Sequence, residues 1–198
     1  ACTWNTDLVE MIGEAGAKEV KENNIGVWLT PAVNIHRNPL CGRNFEYYSE
    51  DPLVAGKMGA AMVRGIQARH IAATVKHFAA NNKETNRKHS DSRVSERALR
   101  EIYLKAFQII VEEADPWAIM SSYNIINGHR ASECKELLED ILRGEWAFKG
   151  MVTTDWWTRG EHYKENKAGN DLKMANGFPE RVKRAMDLGE LDRKDLEH

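Results

Sequence analysis

Five side chains with chemically useful groups follow short apolar runs of this chain. They are Arg43, Lys76, His77, Tyr123 and Asp155. A carboxylate, two cations, an imidazole and a phenol are side-chain types that bind polar substrates and take part in proton transfer and covalent catalysis. If the apolar runs are parallel strands of one sheet, their carboxyl ends open on the same face. We therefore expect these side chains to meet in one pocket.

Alternating apolar and helical patterns predict the elements that carry these groups. The predicted strands are 25–35, which runs into a loop, 72–75, 117–120, 150–154 and, as a weaker candidate, 168–174. The predicted helices are 6–22, 52–66 with Asp51 as cap, 95–110 opened by Ser95 and Glu96, 132–142 with Ser132 as cap, and 179–188. Strands of about five residues alternating with helices of ~12–18 residues are typical of parallel βα units.

A doubly wound sheet and a (β/α)8 barrel share this pattern. No glycine-rich phosphate fingerprint follows any strand, which disfavours a nucleotide-binding doubly wound sheet. A complete barrel needs ~250 residues. If the chain forms a barrel, some of its units are therefore missing. Residues 194–198 resemble the junction with an expression tag.

Each group also has a structural explanation. An aspartate after a strand is often a helix cap, and Lys76–His77 could be a solvated edge with a satisfied histidine. Arg43 could pair with Glu46 or Glu50 at the surface, with little effect on stability. Trp156 could simply belong to the core. The case for a pocket depends on polar residues ending four separate strand units.

Composition is that of a globular protein, with 42% hydrophobic and 29% charged residues. The net charge of −2 argues against nucleic-acid or anionic-membrane partners. No apolar run reaches the ~20 residues that span a bilayer. Three unpaired cysteines favour a cytoplasmic location. The scattered histidines lack ligand spacing, so we expect neither a metal nor a cofactor.

Several segments resemble the β-glucosidase type of family 3 glycoside hydrolases. They are GRNFEYYSEDP (42–52), KHFAANNKETNR (76–87), SERALREIYL (95–104), MSSYN (120–124), GMVTTDW (150–156) and AGNDLKM (168–174). Two departures are Thr154, where the family more often has serine, and Ala175–Asn176, where Pro-Gly is common.

The resemblance implies a (β/α)8 barrel followed by an α/β sandwich domain, which this sequence lacks. It therefore predicts a partial (β/α)8 TIM-type barrel of about five to six units over residues 1–193, with the opening and closing segments missing. It implies a retaining hydrolase of terminal non-reducing β-D-glucosyl residues, with Asp155 as the nucleophile of a glycosyl-enzyme intermediate. The implied substrate-binding residues are Arg43, Lys76, His77, Tyr123, Met120 and Trp156. Because the family's general acid/base glutamate belongs to the second domain, we expect the isolated chain to be inactive.

Three alternatives or additions remain open. A subset of the family that acts on N-acetylglucosaminides carries its acid/base on the loop that here contains His89 and Asp91. A non-catalytic sugar-binding module is a second possibility. Exposed edges of a partial barrel would favour homo-oligomers. The sequence leaves undecided whether the sugar is glucose, xylose or another β-linked pyranose.

Overall fold

The chain forms an α/β unit built on parallel strands in a computed structural model, which describes residues 1–197. The strands are β1 (Val27–Trp28), β2 (Ala72–Phe78), β3 (Asp91–Ser92), β4 (Ala118–Ser121), β5 (Ile125–Ile126), β6 (His129–Arg130) and β7 (Met151–Thr154). Four of them form one parallel sheet in the order β1-β2-β4-β7. Leu172 extends this sheet through a parallel bridge to Thr153.

The strand order identifies the architecture. In a doubly wound sheet the order reverses at a switch point. Here each strand of the four-stranded parallel sheet, and then the bridge at Leu172, lies beside the preceding strand of that sheet along the chain. A sequential parallel order is that of a (β/α)8 barrel, so the predicted fold class is confirmed.

The helices agree closely with the sequence pattern. They are α1 (Thr6–Glu22), α2 (Pro52–Gln67), α3 (Glu96–Ala98), α4 (Lys105–Ala114), α5 (His162–Lys167) and α6 (Pro179–Asp187). A π-helical stretch, Leu99–Tyr103, joins α3 to α4, and another spans Glu136–Glu145. The Asp51 carboxylate accepts hydrogen bonds from the N–H groups of Leu53 and Val54, as the predicted N-cap of α2.

The core lies between the parallel sheet and the helices that cover one of its faces. The sheet contributes Val75, Ile119 and Val152, and the helices contribute Met58, Ile66, Phe107, Ile110, Leu138 and Leu142. Because side chains alternate along a strand, the intervening residues point to the opposite face, where a barrel has its interior. Within the described residues no helix is long and apolar enough to cross a membrane.

Two glycines bring α1 against α2. A Cβ on Gly65 would lie 2.1 Å from the carbonyl oxygen of Glu10, and a Cβ on Gly13 would lie 2.8 Å from that of Met62. Any larger side chain at either position would force the helices apart. The close approach of the two helices therefore depends on the absence of a Cβ at both positions.

Some sequence-based boundaries were wrong. Within 25–35 only β1 and a bridge at Ala32 are paired, and the weak strand 168–174 is reduced to the bridge at Leu172. Ser132 does not cap a helix, because it lies in a 3₁₀ turn and donates to Glu165 instead. Of the suspected tag junction, residues 194–196 belong to the 3₁₀ turn Arg193–Leu196, and His198 lies outside the described residues.

Candidate active site

Asp155 lies immediately after β7, at the carboxyl end of the sheet, with 6% of its surface exposed. Its backbone N–H donates to the carbonyl of Ser121 at the end of β4 (3.1 Å), which fixes the position of its Cα. The side-chain oxygen Oδ1 accepts a hydrogen bond from the Trp156 N–H (2.7 Å). The other oxygen, Oδ2, is buried and accepts no hydrogen bond from the residues that the structure describes.

His77 is the side chain that faces this second oxygen. Its Nε2 lies 3.7 Å from Asp155 Oδ2, and the imidazole is 1% exposed. Burial lowers the pKa of His77 well below its ordinary value, and the nearby Arg43, Lys76 and Arg87 lower it further. The imidazole is therefore neutral at pH 7, and the contact is not an ion pair.

An irregularity in β2 lets consecutive residues serve one site. The register between β2 and β4 shifts between Lys76 and Phe78. In a regular strand Lys76 and His77 would point to opposite faces, and a bulge changes this direction. Both side chains act on the Asp155 region here, since Lys76 interacts electrostatically with the Asp155 carboxylate.

Glu46 links two of the predicted sugar-binding cations. Its carboxylate hydrogen-bonds Arg43 Nε and lies 3.6 Å from Lys76 Nζ. The alternative that Arg43 pairs with Glu46 is therefore correct, but the pair is mostly buried inside the site instead of solvated. Burial by itself lowers the pKa of Arg43, but the hydrogen bond to Glu46 acts in the opposite direction, and the pKa is raised overall. The pKa of Lys76, in contrast, is lowered by burial.

Tyr123 closes the site from the end of β4. It is buried, and burial together with the Asp155 charge raises the pKa of its hydroxyl, so it stays a proton-carrying donor. The Arg87 guanidinium lies 4.5 Å from the centre of its ring, and Lys88 Nζ lies 5.1 Å from it. These contacts hold the loop after β2 over the site.

The electrostatic balance at Asp155 is set by opposing effects. Burial raises the pKa of the carboxyl above its ordinary value. The Trp156 N–H, Arg43, the Tyr123 hydroxyl and Arg87 all lower it, without cancelling the effect of burial. The site thus holds a carboxylate whose charge is stabilised by cations and donors but is poorly solvated, which makes it reactive toward an electrophilic carbon.

Met120 and Trp156 are less directly connected to the pocket. Met120 is 2% exposed and is in register with Lys76 on one side and Thr153 on the other. Met120 therefore lies directly beside Lys76 on the neighbouring strand. Trp156 is partly buried and contacts Asp155 through its backbone. Their predicted role as apolar walls against a sugar remains a prediction.

Sequence reasoning passed over two residues of this site. Arg87 appeared only within a matched segment, although it acts on Tyr123, His77 and Asp155. Asn34 lies in the predicted strand 25–35, and its side chain bonds the backbone of His77 at both ends. A lone polar residue in a buried apolar run was the available signal for Asn34.

Residues 1–197 contain no cluster of three or more His, Cys, Asp or Glu side chains placed to hold a metal ion. The three cysteines are free.

The sequence profile of the glycosyl hydrolase family 3 N terminal domain matches residues 1–190. The chain therefore belongs to glycosyl hydrolase family 3. Beta-glucosidase A of Butyrivibrio fibrisolvens is 65% identical over 197 residues, which are 100% of this chain and 24% of that protein. An exo-alpha-(1->6)-L-arabinopyranosidase of Bifidobacterium longum is 47% identical over 176 residues, 89% of this chain and 23% of that protein.

The fold has solved counterparts in the same family. Beta-glucosidase 3B from Thermotoga neapolitana, determined in complex with alpha-D-glucose, superimposes with a TM-score of 0.95 at 46% identity. The match covers 98% of this chain and 28% of that chain. The chain thus spans about a quarter of the length of these relatives.

Proposed function

We propose that this chain supplies the nucleophile and most of the sugar pocket of a retaining β-glucosidase. The observation that carries the proposal is a buried Asp155 carboxylate, close to Arg43, Lys76, Arg87 and Tyr123, whose Oδ2 accepts no hydrogen bond from any described residue. An aspartate with a purely structural role would cap a helix or form an ion pair with a neighbouring cation. Among the described residues, Asp155 does neither.

The reaction proceeds in two steps. Asp155 Oδ2 attacks the anomeric carbon of a bound β-glucoside, the bond from that carbon to the leaving oxygen breaks, and the leaving oxygen takes a proton from an acid. Water then attacks the same carbon, Asp155 is released, and the water's proton returns to the former acid. Two inversions give net retention of configuration.

The remaining polar groups suit recognition of a sugar ring. Arg43, Lys76 and Arg87 offer several N–H donors each, and sugar hydroxyls accept and donate at once. Tyr123 can donate to Asp155 while the carboxylate is ionised and to the ester oxygen in the intermediate. Glu46 is bound to Arg43 and Lys76, so it is not available as the acid. The acid/base is expected outside this chain.

The relatives support the substrate class. The beta-glucosidase of Butyrivibrio fibrisolvens and the glucose complex from Thermotoga neapolitana favour a β-glucosyl group at the site. The relative from Bifidobacterium longum acts, by its name, on a different pyranose. The glycone therefore has to be tested with both sugars.

The loop-based acid/base of the N-acetylglucosaminide-specific subset is disfavoured by the contacts of Asp91. Its Oδ1 accepts from the Gly128 N–H (3.1 Å) and its Oδ2 pairs with Arg93. Asp91 is thus held in the small sheet formed by β3, β5 and β6 and is not free to assist His89. A non-catalytic module would not need an aspartate with an unpaired, buried oxygen.

The test uses a polypeptide of the relatives' length that contains this chain, called the full-length enzyme below. We expect it to hydrolyse 4-nitrophenyl β-D-glucoside faster than 4-nitrophenyl α-L-arabinopyranoside, with proton NMR detecting the β-anomer of glucose first. Appearance of the α-anomer first would overturn the retaining mechanism. Preference for the arabinoside would overturn the substrate class but keep the nucleophile.

A further inference from the structure

The side-chain amide of Asn34 can adopt only one orientation. It is 2% exposed and spans both backbone groups of His77. The His77 N–H lies 2.8 Å from one terminal atom of the amide, and the His77 carbonyl lies 2.9 Å from the other. An N–H can only donate and a carbonyl can only accept. The first atom must therefore be Oδ1 and the second Nδ2.

This orientation determines where the proton of His77 sits. The ring Nδ1 lies 3.3 Å from the same Asn34 Oδ1, which can only accept. The contact is attractive only if Nδ1 carries the hydrogen. Burial and the cations around the ring lower the pKa of His77, so the ring holds a single proton. Nε2 is then unprotonated, with its lone pair directed into the pocket.

The opposite tautomer would damage the site in two places. A hydrogen on Nε2 would point toward Asp155 Oδ2, 3.7 Å away, and draw electron density from the nucleophile. At the other side of the ring, the lone pairs of Nδ1 and of Asn34 Oδ1 would face each other. The tautomer with the hydrogen on Nδ1 avoids both, and it leaves two acceptors, Nε2 and Oδ2, beside each other.

We propose that Asn34 is a positioning residue that fixes His77 as a hydrogen-bond acceptor, so that Nε2 receives a hydrogen bond from a hydroxyl of the bound sugar. The part about the sugar rests on the proposed function, whereas the tautomer does not. It follows that the protein both donates hydrogen bonds to the sugar and accepts one from it. The cations donate to some of the sugar hydroxyls, and His77 Nε2 accepts from another hydroxyl.

The direct test is the nitrogen NMR spectrum of the chain with ¹⁵N-labelled histidine, with His77→Gln used to assign the resonances. We expect the Nδ1 of His77 to be protonated and its Nε2 unprotonated throughout the neutral pH range. A protonated Nε2 in the unsubstituted chain would overturn the proposal, whether or not the protein is a glycosidase.

Two substitutions of Asn34 test its control over the ring. Asn34→Asp keeps an acceptor for Nδ1, so we expect the same tautomer, with the pKa of His77 raised by the added charge. Asn34→Leu removes the acceptor, and we expect both tautomers to be populated. Asn124→Asp is a matched control, because Asn124 is also buried and bonds the carbonyl of Ala79 without contacting His77. An unchanged single tautomer in Asn34→Leu would contradict the role of Asn34. If Asn34→Leu fails to fold, Asn34→Asp still tests the proposal, because a changed tautomer in Asn34→Asp would contradict it.

The sugar contact is tested with glucose analogues in the full-length enzyme. Fluorine accepts weakly but cannot donate, so replacing the hydroxyl that faces His77 by fluorine removes the bond to Nε2. We expect one monofluoro analogue to bind roughly tenfold more weakly in calorimetry, the loss of about one hydrogen bond. In His77→Ala that difference should disappear. Equal loss in both proteins would overturn the donor role of the hydroxyl.

Discussion

The Trp156 N–H donates to the side-chain oxygen Oδ1 of its neighbour Asp155 at 2.7 Å, and this bond distinguishes the two oxygens of the carboxylate. Oδ1 is held by the backbone, while Oδ2 has no hydrogen-bond partner within residues 1–197 and lies 3.7 Å from His77 Nε2. The oxygen with the unused lone pairs is the better nucleophile. We therefore assign the attack on the anomeric carbon to Oδ2.

Replacing Asp155 by asparagine should abolish hydrolysis. The amide keeps an oxygen for the Trp156 N–H but cannot form the glycosyl ester. We expect kcat on 4-nitrophenyl β-D-glucoside to fall by on the order of 10⁴-fold in the full-length enzyme, the scale for losing one member of a covalent catalytic unit. Asp140→Asn, at an exposed helix position, should leave kcat unchanged. Near-normal turnover by Asp155→Asn would remove Asp155 from the mechanism.

The same substitution should stabilise the fold at neutral pH. The pKa of Asp155 is raised in the folded state, so the folded chain binds this proton more tightly than the unfolded chain does. Ionisation at pH 7 therefore costs stability, about 1.4 kcal/mol for each unit by which the pKa is raised, and asparagine avoids that cost.

The stabilisation by Asp155→Asn relative to the wild type should depend on pH. It should be complete above the raised pKa and should disappear as the pH falls below the ordinary aspartate value of 3.8, where both states of the wild type are protonated. Thermal unfolding of the two proteins between pH 3 and pH 7 checks this. A lower melting temperature for Asp155→Asn at pH 7 would contradict it.

Arg43 should control the acid limb of the pH–rate profile. Its charge lowers the pKa of Asp155, so Arg43→Gln should raise that pKa and move the acid limb of kcat/KM to higher pH. Loss of its bonds to sugar should also reduce kcat/KM at the optimum by about tenfold or more. Arg37→Gln, an exposed position in the same loop, is the control. Identical profiles for both variants would exclude this effect.

A buried ion pair behind the site should be sensitive to losing one partner. Lys173 Nζ bonds the Glu165 carboxylate and Thr158 Oγ1 (3.0 Å), and Ser132 Oγ donates to Glu165 Oε1 (2.8 Å). The two charged side chains are 4% and 1% exposed. Glu165→Gln leaves the lysine charge buried, so we expect a loss of about 3–5 kcal/mol in the free energy of unfolding.

Urea unfolding measures this loss, with exposed Glu161→Gln as control. Combining Glu165→Gln with Lys173→Met should recover part of the stability, because the unpaired charge is removed. Additive losses in the double variant would mean that the pair has no energetic coupling.

Exposed strand edges should cause association of the isolated chain. Within residues 1–197, β1 has a strand neighbour on one side only, and Val27 is 41% exposed. An unpaired edge with apolar side chains offers hydrogen bonds to another chain. We expect concentration-dependent dimers in light scattering. A monomer at the highest concentration measured would contradict this.

The elements that follow from simple periodicity could be predicted well. Helix 6–22 was placed correctly, and the Asp51 cap of α2 was identified from its side-chain chemistry. The strand near Leu172 was overestimated, because only tertiary contacts with β7 decide how many of its residues pair. Ser132 looked like a cap but is required by the buried Glu165, a partner 33 residues away.

The candidate site, like the fold, could be predicted from the sequence only in part. The sequence identified residues at strand ends because parallel strands open on one face, and the structure brings Arg43, Lys76, His77, Tyr123 and Asp155 together. It gave no sign that a bulge in β2 would let adjacent residues share the pocket. Nor could it reveal the role of Asn34, which depends on three contacts with a residue 43 positions away.

The identity of the nucleophile is tested most directly by trapping the intermediate. A 2-deoxy-2-fluoro-β-glucoside with a good leaving group forms the glycosyl ester but hydrolyses it slowly, because fluorine destabilises the oxocarbenium-like transition state. After peptide digestion of the full-length enzyme, mass spectrometry should find one sugar bound to Asp155. A sugar attached to any other residue, or inactivation without a covalent adduct, would contradict the account.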